Sequence, residues 1–176
     1  MIMRPGQRLL MPVNPAFLWL SLLLAFAVNM LGNMLLWGRA AWAPDVLSIV
    51  LVFWTVHQTM RVGIAAAFVF GLMLDVYQGG LLGQHAMAYT VLSYFAIMVH
   101  RRLLWFSLRE QTMQVLPLFA LMHTVELLLN AMIGGNFPGW WVLMAPVGEA
   151  LLWPVISSML LAPQRRAPDP DDNRPL

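Results

Sequence analysis

The sequence predicts an all-α integral membrane protein with six transmembrane helices, and three observations carry that prediction. The chain is 60% hydrophobic and only 10% charged, against roughly 25% charged in a soluble domain. Such a chain cannot cover itself with polar side chains, so lipid must be its solvent over most of its surface. The apolar residues gather into six stretches, at about 15–37, 45–60, 62–78, 83–99, 110–133 and 142–161, set against the roughly 20 residues that cross a bilayer as a helix, with the second and third short at about 16 residues or roughly 24 Å. Nine of the ten arginines fall in the leader, the tail and alternate breaks between these stretches, and only Arg39 falls in another break.

The length of 176 residues fits one domain: a short basic leader at 1–14, a membrane domain at 15–161 and a tail at 162–176. There is no cysteine, which excludes a disulfide or a thiolate metal site. His57, His85, His100 and His123 are widely spaced and form no HExxH pair, so no metal or cofactor is expected. All ten basic residues are arginine, and no basic run is interleaved with aromatics, which argues against nucleic acid. The first apolar stretch exceeds a signal-peptide core and lacks a clear cleavage site, so it is expected to remain as span 1.

Span 1 carries Asn29 and Asn33, four apart and so on one face, as hydrogen-bonding groups toward other spans. Gly38 to Pro44 is a turn, and Asp45 opens span 2 as an expected N-cap. Only Arg61 separates spans 2 and 3, which predicts an antiparallel hairpin of the two. Span 3 places Ala67, Gly71 and Asp75 at spacings of four. The first two let a neighbouring backbone come close. Asp75 is an ionisable group in an apolar helix, which costs about 2.5–3.5 kcal/mol on insertion scales. The chain then turns through Gly79, Gly80 and Gly83, presents Gln84 and His85, and runs through span 4 to His100, Arg101 and Arg102.

The stretch from His100 to Glu110, with Arg101, Arg102, Trp105 and Phe106, fits a helix at the headgroup level. In span 5, Pro117 predicts a kink. His123, Glu126 and Asn130 share one face there, a polar stripe that must meet protein or water. The loop from Gly134 to Trp141 is charge-free and ends in two tryptophans. Span 6 contains Glu149 between Pro146 and Pro154, and the Pro-rich charged tail is expected to be disordered.

With the N-terminus inside, Arg4, Arg8, Arg61, Arg101, Arg102, Arg109, Arg165, Arg166 and Arg174 are cytoplasmic and only Arg39 is outside. That asymmetry predicts six spans with both termini in the cytoplasm. Asp45, Asp75, Glu126 and Glu149 then all lie toward the outer face. His85, His123 and Arg39 are their cationic candidates, so either some acids are neutral or water reaches them.

The chemistry divides three ways. An intramembrane enzyme would need a GxSx, HExxH or glycine-flanked aspartate motif, and none is present. A small-solute transporter subunit would use the outer acids as a pocket. A membrane scaffold would use the same polar residues to fix packing and choose partners.

Specific residues then carry a resemblance. They are Pro44-Asp45, Gly71-x-x-x-Asp75, the run Gly80-Leu81-Leu82-Gly83-Gln84-His85-Ala86 and Ala88-Tyr89. His100-Arg101-Arg102-Leu103, Trp105-Phe106, Phe137-Pro138-Gly139-Trp140, Ala162-Pro163-Gln164-Arg165-Arg166 and Asn173-Arg174-Pro175 complete the set. In these the chain resembles the proteobacterial MreD family of rod shape-determining proteins, over residues 44–176, with span 1 alike only in being apolar. The resemblance implies an inner-membrane protein without catalytic activity that pairs with MreC. It implies membership of the elongation machinery with MreB filaments and the wall-building glycosyltransferase and transpeptidase.

The resemblance also implies a fold like the substrate-binding membrane subunit of energy-coupling-factor vitamin transporters. The Ala-x-x-x-Ala stripe of those subunits is absent from span 1, whose alanines are Ala16, Ala25 and Ala27. The expected partner or ligand surface is Asp45, Ala67, Gly71, Asp75, Gln84 and His85, accepting a partner helix or a lipid-like ligand. His123, Glu126, Asn130 and Glu149 form an intramembrane polar stripe. Arg101, Arg102 and Trp105 anchor the cytoplasmic end or touch MreB or anionic membrane lipid.

Overall fold

The computed structural model describes residues 14–35, 42–135, 137 and 139–164. Among these residues there are six α-helices and no strand: α1 (Pro15–Leu35), α2 (Val46–His57), α3 (Ile64–Gln78), α4 (Gln84–Leu103), α5 (Leu108–Met132) and α6 (Met144–Leu161). Short 3-10 turns at Trp140–Leu143 and Ala162–Gln164 flank α6. The tail thus begins with an ordered turn; its remainder and the basic leader up to residue 13 lie outside the described residues.

The bundle is built around α2. Every residue from Leu47 to Val56 is buried, because this helix has no polar face and is walled by α1, α4 and α6. Its bulk centres on Phe53 and Trp54, with Trp153 of α6 and Phe17 of α1 against them. A buried indole N–H needs an acceptor. Trp54 Nε1 finds Ser21 Oγ at 2.8 Å and Trp153 Nε1 finds Gln111 Oε1 at 3.1 Å. The outer surface is apolar too: Leu20, Leu24, Leu31, Met34 and Leu35 of α1 all point away from the core.

Among the described residues, three helical stretches are long and apolar enough to cross a bilayer unaided: Pro15–Leu35, Leu108–Met132 and Trp140–Gln164. At 12 and 15 residues, α2 and α3 extend roughly 18 and 22 Å, short of a hydrocarbon core of about 30 Å. The burial of α2 accounts for its shortness, since a helix enclosed by protein need not match the bilayer.

Two expectations are corrected. The packed hairpin is α3 with α4, whereas α2 lies against α1, α4 and α6. The cause is Gly71: a Cβ built there would stand 2.4 Å from Ala86 Cα and 2.6 Å from Ala86 N, so only a hydrogen fits between the two backbones. The reversal between α3 and α4 uses Gly79 (φ 61°) and Gly83 (φ 100°) in the left-handed region, which glycine enters without strain. We expect Gly71→Ala to cost about 1–3 kcal/mol through overpacking, read as a lowered melting temperature in detergent. An unchanged melting temperature would mean that the two helices can separate freely.

The second correction concerns the expected headgroup-level helix at 100–110. His100 to Leu103 complete α4, and Leu104 to Ser107 form a turn. A capping box then starts α5: Glu110 Oε2 accepts from Ser107 N at 2.9 Å. The Ser-x-x-Glu spacing is a readable helix start. Trp105 is 86% exposed at this turn.

Candidate functional site: a buried polar network at one end of the bundle

The ends of the helices differ in charge. Asp45 precedes α2, Asp75 lies in the last turn of α3, His85 in the first turn of α4, Glu126 toward the end of α5 and Glu149 early in α6. The described arginines, Arg61, Arg101, Arg102 and Arg109, belong to the opposite ends. Their recess, about 450 Å³ and lined by Arg101, Arg102, Trp105 and Phe106, is open and largely apolar.

Asp45 is the N-cap of α2. Its Oδ1 accepts from Leu47 N at 2.9 Å and Ser48 N at 3.2 Å, satisfying donors that a helix start leaves free. The same oxygen accepts from Asn29 Nδ2 of α1 at 2.9 Å, and Oδ2 accepts from the Tyr89 hydroxyl of α4. One carboxylate therefore joins three helices.

Asp75, 2% exposed, does the same work for α4. Its oxygens accept from Gly83 N at 2.8 Å, His85 N at 2.9 Å and Ala86 N at 3.3 Å, with His85 Nδ1 at 2.7 Å. Gly83, at the N-cap position, has no side chain to offer, so the cap arrives from the neighbouring helix. Ala67 and Gly71, two turns and one turn before Asp75, are buried, with Gly71 against the backbone of α4. Gln84 lines the cavity described below instead of meeting Asp75.

From His85 the network continues through acids and imidazoles in alternation. His85 Nε2 stands 4.0 Å from Glu126 Oε1. His123 sits between two carboxylates, with Nδ1 3.2 Å from Glu126 Oε2 and Nε2 2.9 Å from Glu149 Oε1. Glu149, fully buried, also accepts from Asp45 N at 3.0 Å, which closes the circuit. All six helices contribute to it or to the caps that hold it.

A cavity of about 200 Å³ opens beside the network. Its wall includes Asn29, Asn33, Asp45, Gln78, Gln84, His85, His123, Glu126 and Asn130. Sequence reasoning singled out Asp45, Asp75, His85, His123, Glu126, Asn130 and Glu149, and the fold brings them to one end. It passed over Tyr89 and Gln78 as site residues. Tyr89 follows His85 by four and so shares its helical face, which was the available signal. Among the described residues no group of histidine and carboxylate side chains is arranged to hold a metal ion.

The apolar surface and buried polar centre define a helical membrane protein. The family described as rod shape-determining protein MreD matches residues 12–162, and the chain belongs to that family. It is also similar to the rod shape-determining protein MreD of Haemophilus influenzae, 23% identical over 150 residues that cover 84% of this chain and 93% of that protein. No solved structure matches the chain. The role of the chain is therefore in cell shape.

Proposed function

We propose that the chain is a non-enzymatic, six-span scaffold of the cell-elongation machinery in the bacterial inner membrane, acting in rod shape and lateral peptidoglycan synthesis by pairing with MreC. MreB filaments and the wall glycosyltransferase and transpeptidase are its wider partners. Family membership over residues 12–162 carries this reading. The network supports it physically. Its acids cap helices and tie them to one another, which is the task of a scaffold core. In this reading α2, α3 and α4 cross with the other helices as one packed unit, both termini face the cytoplasm, and the acidic end faces outward.

The absence of native cysteine makes the test direct. Leu82→Cys in the α3–α4 turn and Trp105→Cys in the α4–α5 turn change exposed residues. A membrane-impermeant maleimide is expected to label the first in spheroplasts and the second only after permeabilisation. The opposite pattern would overturn the orientation. A cross-linker placed at Leu82 is expected to capture MreC; failure to co-purify MreC from cells would sink the pairing. Asp75→Asn with normal abundance, intact pairing and normal cell shape would remove Asp75 from the functional surface.

The acid-lined cavity favours a second reading, a solute-binding subunit of a vitamin-type transporter with the corresponding six-helix fold. Its volume of about 200 Å³ falls below the roughly 300–1,000 Å³ of small-molecule pockets. Mass spectrometry of gently purified protein separates the two, because a stoichiometric solute belongs only to the transporter.

A further inference from the structure

We propose that the recess at the arginine end is a headgroup site for one anionic phospholipid. Arg101 and Arg102 hold its phosphate, and Trp105 and Phe106 cover its glycerol and first chain carbons. This goes beyond the scaffold role and needs only the reading that the bundle crosses a membrane.

The turn between α4 and α5 is fixed by its own hydrogen bonds. Trp105 N donates to Arg102 O at 3.1 Å and Phe106 N to Leu103 O at 3.2 Å. Gln111 of α5 is buried. Its Nε2 donates to Leu103 O and Phe106 O, both at 3.1 Å, and its Oε1 accepts from Trp153 Nε1. One core amide thus ties the turn to α6. The depth of the turn follows from helix length. α4 has 20 residues and α5 has 25, about 30 and 38 Å, against a hydrocarbon core of about 30 Å. Helices of that length bring their junction to the headgroup level, where tryptophan and arginine collect.

Charge and exposure choose the occupant. Arg101, Arg102 and Arg109 are exposed, and none of them is in an ion pair among the described residues. The one carboxylate between His100 and Glu110 is that of Glu110 itself. It is turned onto Ser107, accepting from N at 2.9 Å and from Oγ at 3.0 Å. Three arginines against one glutamate leave this stretch with a net positive charge. A guanidinium matches a phosphate bidentately. A lipid of net negative charge answers both arginines, whereas a zwitterionic one brings an ammonium beside them. The rest of the surface is apolar: Leu104, Trp105 and Phe106 are exposed in succession, and the recess of about 450 Å³ lies among Trp105, Phe106 and the two arginines. A soluble acidic peptide would set its polar backbone against that apolar wall. A lipid covers the wall with glycerol and hydrocarbon. Compensation of the α4 dipole accounts for basic residues in its last turn, but not for a tryptophan-walled recess beside them.

The test titrates the full chain, in a nonionic detergent, with phosphatidylglycerol or with phosphatidylcholine of the same chains. Native mass spectrometry reads the lipid retained per chain. One phosphatidylglycerol is expected to bind at least about fivefold tighter than phosphatidylcholine, the order of one basic residue at an anionic surface. Arg101→Gln/Arg102→Gln is expected to weaken phosphatidylglycerol at least about tenfold. Arg109→Gln removes a charge that does not line the recess and is expected to change the affinity by about twofold at most, because water and salt screen it. Trp105→Ala changes an exposed side chain and keeps the test decisive if the double variant fails to fold. It is expected to weaken both lipids at least about threefold through lost apolar contact. Equal affinities for the two lipids, or affinities unchanged in the double variant and in Trp105→Ala, would overturn the site. So would a loss in Arg109→Gln as large as that of the double variant, since general charge attraction would then suffice. Displacement of phosphatidylglycerol by hexaglutamate at equal concentration would assign the recess to an acidic protein segment and overturn the lipid. Failure of MreC pairing with lipid binding intact would sink the scaffold reading alone.

Discussion

Replacing Asp75 with alanine is expected to destabilise the bundle by about 3 kcal/mol or more, since each buried donor left without a partner costs about 1–3 kcal/mol. The carboxylate takes three backbone N–H groups from the start of α4 and one imidazole. These are donors that a helix beginning cannot satisfy internally, and Gly83 at the N-cap has no side-chain acceptor to offer them. The negative charge also sits at the positive end of the α4 dipole. Asp75→Asn retains one acceptor oxygen and should lose less, about 1–2 kcal/mol. Equilibrium unfolding in detergent gives the order wild type, Asn, Ala. A loss below about 0.5 kcal/mol for alanine, the range of an indifferent surface change, would mean that water or another group caps α4. Gly71 sharpens the point: its contact with Ala86 brings α3 close enough for Asp75 to reach α4.

The parts of this structure that were legible in the sequence are those governed by neighbours along the chain. Asp45 after Pro44 marks a helix start, and glycines at 79 and 83 mark a reversal. His123 and Glu126 share a face because they are three apart. Pairing between helices was less legible. A helix buried from Leu47 to Val56 has no polar side to show where its neighbours lie, so its short connection to α3 gave a misleading hairpin. Residues 16, 44 and 104 positions away complete the surroundings of Asp45. Those distances are set by how six cylinders pack, which periodicity does not encode. The small-residue stripe announced a close backbone approach without saying whose backbone; α4 of the same chain fills that role at Gly71.

The same circuit makes His123→Leu the second severe change, at about 3–5 kcal/mol, the range for removing one partner of a buried ion pair. The imidazole separates Glu126 from Glu149 and donates to one or both. Without it, two carboxyl groups face each other across an apolar side chain. Glu149→Leu alone is also costly, because it strips both His123 Nε2 and Asp45 N of their acceptor. The double variant His123→Leu/Glu149→Leu removes donor and acceptor together, and apolar replacement of a whole buried pair is often tolerated. It should therefore lose less than the two single losses added, by about 1–3 kcal/mol. The orphaned Asp45 N–H keeps it below wild type. Additive losses would show that His123 and Glu149 act as independent caps. Non-additive losses would show that the acidic end is a single unit, so that a perturbation at α5 or α6 is felt at the cap of α2.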